Sequence, residues 1–356
     1  MRPFLTGGFG NPSSTHAEGR KARAALEQAR EQVARCLGCR PSEVVFTSGG
    51  SESNNLAIRG LVEARGGGHV ITSAVEHPAV IEVVLALEIE GRINLTIVPV
   101  DRFGRVDPEA VAAAMRDDTV LVSLMLANNE VGTLQPVAEV ASLCRERGVV
   151  VHSDAAQAVA KVPVDVSDLG VDLLSVAGHK LYAPKGIGAL FIRDGLSIEP
   201  QIRGAGHESG RRAGTENVLL AVGLGTACEL AQHDVGAEQE RSAGLRDLLA
   251  ARLHEGRGDV VMHGHLDHRL PNTLSVALPG CVADELLESL TDELAASAGA
   301  ACHAGAATVS HVLQAMNVDP DLAAATVRLS VGRFTTEEEI ERAADLIVRR
   351  FNVSTS

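Results

Sequence analysis

Residues 148–157, GVVVHSDAAQ, and 171–186, VDLLSVAGHKLYAPKG, each carry an apolar run that stops on polar or charged groups. Short apolar runs bounded in this way read as buried strands, so Asp154 closes one strand and His179 and Lys180 follow another. The pattern recurs outward in both directions. EVVFTS, HVITSA, LTIVPV and VLVSLML precede the pair and GALFI follows it, alternating with helical patterns from Glu43 to about Ile192. This alternation predicts the α/β class, with a mostly parallel seven-stranded sheet covered on both faces. Ligands of such sheets gather beyond the carboxyl ends of the strands, where Asp154, His179 and Lys180 fall.

From about His233 the character changes. A helix carrying Leu245, Leu248, Leu249 and Leu253 leads to an alternating strand, NTLSVALPG, then a further helix, a small-residue loop and a last helix. That helix opens on a capping box, either Thr335 with Glu338 or Thr336 with Glu339. The division expected is a large domain over residues 1–235 and a smaller α+β domain over 236–356.

The formal net charge of −14 disfavours nucleic-acid partners, whose phosphates would meet repulsion. No run of about 18 apolar residues signals a membrane span, and the first residues lack a secretory pattern, so the expected location is the cytoplasm. Six scattered cysteines read as reduced thiols rather than a disulfide framework. Cys36 and Cys39 form a lone CxxC at the end of a helical stripe through Ala22, Leu26, Ala29 and Val33, which points to core packing; no second pair completes a metal site.

A lysine beyond a buried strand can bond an aldehyde cofactor while a carboxylate on a second strand holds a pyridine nitrogen protonated, which is what pyridoxal phosphate requires. Most lysines are solvated surface charge, so the rest of the chain must supply weight. EVVFTSGGSESNNLAIRG (43–60) runs from strand through a Gly-rich turn to a helix, offering the N–H groups of Gly49, Gly50 and Ser51 to an anion. The alternative is an ordinary βα turn. His77 precedes a proline that restricts it to an extended or turn conformation, where an imidazole could stack on a planar ring and move protons. Asn128 and Asn129, after another strand, need polar partners if buried; a cofactor hydroxyl is one and a turn the other. RGAGHESGRRAGTENV (203–218) is a solvated linker or a binding segment, with Arg211, Arg212 and Thr215 among glycines. Cys302 lies in LAASAGAACHAGAATVSHVL (294–313), a small-residue loop suited to an accessible nucleophilic thiol. Arg328, in VRLSVGRF, offers a planar fork for a carboxylate, or is a salt-bridged core arginine.

Together, GNPSSTHAEGRKAR, FTSGGSESNNLAI, EHPAV, NNEVGTLQP, HSDAAQAV, GHK, GAGHESGRRAGTENV, SAGAACHAG and VRLSVGRF resemble, in order, the pyridoxal phosphate-dependent cysteine desulfurases and selenocysteine lyases of fold type I, aminotransferase class V. The resemblance covers nearly the whole chain. It implies that Lys180 is the Schiff-base lysine, that Asp154 partners the pyridine nitrogen, and that Asn129 and Gln157 face the ring and its hydroxyl. His77 would stack over the ring and act in catalysis. Gly50, Ser51 and His179 would bind the phosphate, joined by Thr215 from the other subunit of a homodimer. Arg328, with Asn129, would hold the substrate and Cys302 would take its sulfur. L-cysteine would yield L-alanine and a persulfide destined for a protein acceptor such as an iron–sulfur scaffold.

The sequence departs from the family twice. Ala177 stands where many members have a phosphate-binding serine. The chain also begins after the strand and turn resembling YLDNAATTP with which members usually open, making an inactive homologue or scaffold the alternative of another class. GAACH and MLANNE look more like the selenocysteine lyase branch, so L-selenocysteine is the alternative substrate.

Overall fold

The computed structural model of the chain describes residues 1–298, 301–303, 306–308 and 310–354; the side chains of 301–303, 306–308 and 352–354 lie outside that description. It comprises two compact units. One consists of Met1–Val98, Asp107–Leu126 and Pro136–Val235, the other of Pro99–Val106, Ala127–Gln135 and Gly236–Ser356.

In the first unit, α1 (Arg2–Thr6) and α2 (Ala17–Leu37) lead to β1 (Val44–Thr47), α3 (Gly50–Arg65), β2 (Gly68–Ser73), α4 (Pro78–Ile89) and β3 (Ile93–Val98). There follow α5 (Pro108–Ala114), β4 (Thr119–Ser123), α6 (Val137–Glu146), β5 (Val150–Asp154), α7 (Val166–Leu169), β6 (Leu173–Ala177) and β7 (Gly188–Ile192); α8 (Val218–Arg257) begins in this unit and ends in the other. The strands form one seven-stranded sheet in the order β1-β7-β6-β5-β4-β2-β3. Only β7 runs against its neighbours. All seven strand candidates of the sequence occupy this sheet. β5, β6 and β7 are buried along their whole length, as continuous apolar runs between helical layers should be. Leu56, Ile58 and Leu61 of α3 pack with Val45, Val70, Leu121, Leu173 and Leu190, and each leucine so buried stabilises the unit by roughly 2 kcal/mol.

In the second unit, β8 (Val261–His263), β9 (Thr273–Ala277), α9 (Ala283–Glu288), β10 (Ser297–Ala298), β11 (Ala301–His303) and β12 (Ala306–Thr308) precede α10 (His311–Ala315), α11 (Pro320–Ala324), β13 (Thr326–Ser330) and α12 (Glu337–Ser354). An antiparallel sheet runs β10-β13-β9-β8, and β11 pairs with β12 in a separate ribbon. Leu245, Leu249 and Leu253 pack on Leu274, Val276, Val327, Ile340 and Ile347. Of the two possible capping boxes, Thr336 with Glu339 forms: the Thr336 N–H donates to Glu339 Oε2 at 2.9 Å and the Glu339 N–H to Thr336 Oγ1 at 3.2 Å. Thr335 instead accepts the Gly332 N–H at 2.9 Å.

Candidate functional site

β5 ends at Asp154, which is 6% exposed. Asn54 Nδ2, one turn into α3, donates to its Oδ2 at 2.7 Å, and the Ala156 N–H donates to its Oδ1 at 2.9 Å. Both carboxylate oxygens are thus held. Asn54 is itself buried, and its Oδ1 meets no donor among the described residues.

β6 lies beside β5, with Ser175 opposite Asp154, and gives way at once to a single 3₁₀ turn, Gly178–Leu181. Gly178 is required there, because a Cβ would stand 2.7 Å from the Ile187 carbonyl oxygen. The Gly178 N–H donates to that oxygen at 3.0 Å, fastening the turn to the segment that enters β7. Lys180 and His179 are exposed on this turn. Burial, then the charges of Lys180, Lys185 and Lys161, hold His179 below the usual imidazole range. The region is cationic.

At the start of α3, Gly49 has φ +154° and open space where a Cβ would stand. Gly49 has no side chain with which to cap the helix, and among the described residues nothing bonds the N–H groups of Gly50 and Ser51, which are available to an anion. A Cβ on Gly188 would lie 2.7 Å from Gly49 Cα, and one on Gly50 would lie 3.1 Å from Ala177 Cβ; this turn rests directly on β6 and β7.

The 203–218 segment is not a solvated linker. Glu208, 8% exposed, pairs with Arg30 at 2.7 and 2.9 Å and accepts the Phe46 N–H at 2.9 Å. Arg212 is committed to Glu52 at 2.8 Å, which explains its place among glycines without a ligand. Thr215 is exposed.

His77 is extended, with φ −63° and ψ 147°, and caps α4 by accepting the Ala79 N–H on Nδ1 at 3.0 Å. Two neighbours of the site were not singled out from the sequence. Glu76 is 1% exposed and its Oε1 accepts from Ser73 Oγ at 2.6 Å and the Met125 N–H at 2.9 Å. Burial pushes its carboxyl up to about 8, and the charge of Asp154 acts in the same direction. Lys161 Nζ donates to the backbone oxygen and to Oε1 of Gln157, each at 2.9 Å. Burial, then the charge of Lys180, lowers its amine to about 7. A lysine inside the apolar run AVAKV was the available signal for it.

In the second unit, Asn128 serves its own turn: Oδ1 accepts the N–H groups of Glu130 and Val131, both at 2.9 Å. Asn129 is half-buried, and its carbonyl oxygen accepts from Arg328 Nη1 at 2.9 Å. Arg328 Nη2 donates to Ser297 Oγ at 3.3 Å. Among the described residues Arg328 pairs with no carboxylate, so it is not the salt-bridged arginine that the sequence equally allowed. Cys302 sits on β11 opposite Ala307; its side chain lies outside the described residues. Burial raises Cys39 and Cys144 to about 12, which makes them poor nucleophiles.

Pyridoxal phosphate fits the first unit. Asn54 is four residues beyond Gly50, a rise of about 6 Å, so the residue that holds the carboxylate and the uncapped N–H groups lie on the first turns of one helix. An acid for a ring nitrogen, an amine for an aldehyde and an open, cationic anion cradle meet at adjoining strand ends.

Residues 1–343 match the family model Aminotransferase class-V. The chain is 44% identical over 352 residues to "Cysteine desulfurase IscS" of Dictyoglomus turgidum, covering 98% of this chain and 89% of that one. Among solved structures, a NifS-like protein superposes with a TM-score of 0.93 at 36% identity, covering 99% of this chain and 94% of that one. SspA in complex with cysteine superposes with a TM-score of 0.82, also at 36% identity, covering 94% of each chain.

Proposed function

The chain belongs to the aminotransferase class-V family, and on that premise we propose that it is a pyridoxal phosphate-dependent cysteine desulfurase, converting L-cysteine to L-alanine with transfer of the sulfur. The observation that carries the reading is Asp154, held on both oxygens at the end of β5, with Lys180 just beyond the adjoining β6. The names of the relatives support L-cysteine over L-selenocysteine, and an active enzyme over a scaffold.

Pyridoxal phosphate, when bound, supplies an aldehyde for amines and a ring that stabilises negative charge at the substrate Cα. Asp154 keeps the pyridine nitrogen protonated. Gly50 and Ser51 at the start of α3, with His179 and the Thr215 of a second copy, hold the phosphate. Asn129 and Gln157 meet the ring and its hydroxyl, and His77 covers the ring. Lys180 would hold the cofactor through its amine, and that amine is the base that takes the substrate Cα proton. Arg328 orients the substrate carboxylate with a guanidinium that, among the described residues, bonds only neutral acceptors. His77 takes the proton of the substrate thiol. Cys302, as thiolate, attacks the substrate sulfur: an S–S bond forms, the C–S bond breaks, its electron pair remains on Cβ to be protonated, and the proton that Lys180 took is returned to Cα. The products are L-alanine and a Cys302 persulfide, which passes to a protein acceptor such as an iron–sulfur scaffold.

The active form is a homodimer in the cytoplasm, with residues 1–235 binding the cofactor and 236–356 carrying the cysteine loop. No described helix is long and apolar enough to cross a membrane. Purified protein with pyridoxal phosphate should be yellow, and borohydride should fix the cofactor to Lys180. Cys302→Ala should keep the colour and lose at least ~3 orders of magnitude in alanine release from cysteine. A label on Lys161 or Lys185, or turnover that survives the Cys302 substitution, would overturn the reading.

A further inference from the structure

Lys161 takes no part in the reaction as described, yet it is placed against a residue that does. The turn that follows β5 closes through its own backbone: Ala158 N–H to Ala155 O at 3.0 Å, Lys161 N–H to Ala158 O at 2.9 Å, and Val162 N–H to Ala158 O at 3.0 Å. The backbone enters the left-handed region at Ala160, with φ +69°, an unfavourable conformation for a residue with a Cβ, immediately before Lys161. Lys161 then lays its amine on Gln157, 2.9 Å from the backbone oxygen and 2.9 Å from Oε1. No carboxylate pairs with this amine among the described residues, and the charge nearest in effect is that of Lys180. Desolvating an amine beside a second amine is costly, so the arrangement calls for a purpose.

Both groups that Lys161 touches are acceptors. An amine has at least two hydrogens whether or not it is protonated, so the contact holds in either state. A carboxamide whose oxygen is occupied in this way has its Nε2 hydrogens left to offer. We propose that Lys161 is a positioning residue that clamps Gln157 by its two oxygens, so that the carboxamide presents N–H donors and selects an ionised ring oxygen on the bound cofactor. This rests on the reading that Gln157 faces the ring hydroxyl of pyridoxal phosphate.

The test is a double-mutant cycle on the full-length protein, read by the dissociation constant of pyridoxal phosphate from the reconstituted apoprotein and by the absorption spectrum. Borohydride labelling of the wild type comes first. With the label on Lys180, Lys161→Met and Gln157→Leu should each raise the dissociation constant about tenfold, and should move absorbance from the visible band of the ionised ring to the near-ultraviolet band of the neutral one. The double variant should be no weaker than Gln157→Leu within about twofold, because Lys161 acts only through Gln157. Lys161→Arg, which keeps a two-hydrogen donor, should restore the visible band and serves equally should the methionine variant not fold. Effects that multiply to about 100-fold in the double variant, or an unchanged spectrum in Lys161→Met, would overturn the role of Lys161 while leaving the cofactor assignment standing. A label on any lysine but Lys180 would instead remove the cofactor reading on which the role depends.

Discussion

Asp154 on β5 and Arg328 on β13 are opposite charges on different sheets, and their surroundings differ in kind. Asp154 has both oxygens engaged by N–H donors, from Asn54 at 2.7 Å and Ala156 at 2.9 Å, and is 6% exposed. Arg328 is half-buried and bonds a carbonyl oxygen and a hydroxyl, neither of which neutralises it. The first is a preset charge: its orientation is settled before any ligand arrives, which suits a permanent partner such as a ring nitrogen. The second is a planar fork with no carboxylate partner among the described residues, which suits a carboxylate that comes and goes with each turnover. On the proposed function, the contrast is between holding a cofactor and holding a substrate.

Asp154→Asn gives the largest effect that would break this comparison. With no negative charge at the end of β5, alanine release from cysteine should fall by at least ~3 orders of magnitude, since the reaction depends on a protonated ring nitrogen. Activity within tenfold of wild type would remove Asp154 from the chemistry. Arg328→Gln should be milder and different in form. Steady-state kinetics should show kcat/KM for cysteine down by ~10- to 100-fold, mostly through KM, as for the loss of a hydrogen-bonded charge, with the cofactor spectrum unchanged. A bleached spectrum in this variant would erase the distinction between the two charges.

Asn54→Ala sharpens the comparison from the other side. It removes the 2.7 Å donor to Asp154 Oδ2, and thermal denaturation should show a loss of ~1–3 kcal/mol together with weaker retention of the cofactor. Retention equal to wild type would mean that Ala156 alone presets the carboxylate.

The smallest effect on turnover belongs to Glu76, whose carboxyl burial raises from 4.5 to about 8. Between those values the folded protein binds a proton that the unfolded chain has released. The stability this contributes is full below pH 4.5 and is lost as the pH rises through about 8, at a rate on the order of 1 kcal/mol per pH unit. Glu76→Gln mimics the neutral acid and should flatten this part of the stability–pH curve, becoming the more stable form at pH 8. Parallel curves for the two proteins, measured by denaturant titration across pH, would show that Glu76 does not titrate as a buried acid.

Local pattern carried much of the fold. The seven apolar runs could be read as strands because each is short, nearly continuous and bounded by turn residues, and those features belong to neighbours in sequence. For the same reason the end of β5 at Asp154, the extended backbone of His77 before Pro78 and the capping of α12 were readable from a few adjacent positions. Local pattern could not decide between Thr335 and Thr336 as the cap, nor between a turn and a ligand as the partner of Asn128. Either choice satisfies the same donors locally, and only the folded backbone selects one.

What the sequence by itself determined was the type and order of the elements and the chemical character of the groups at their ends, because periodicity and turn chemistry act over a few residues. Tertiary structure alone decided the partners and the charge states. Asn54 meets Asp154 from 100 residues away and Glu208 meets Arg30 from 178. The segment Ala127–Gln135 follows directly on a residue of the first unit yet groups with the second. Glu76 looks like an ordinary surface charge in the sequence and Lys161 is marked only by the apolar run around it; they become a neutral-leaning acid and a depressed amine when packing removes the water around them. Desolvation and long-range hydrogen bonding depend on which elements come together in space, and that information lies in the fold as a whole rather than in any stretch of it.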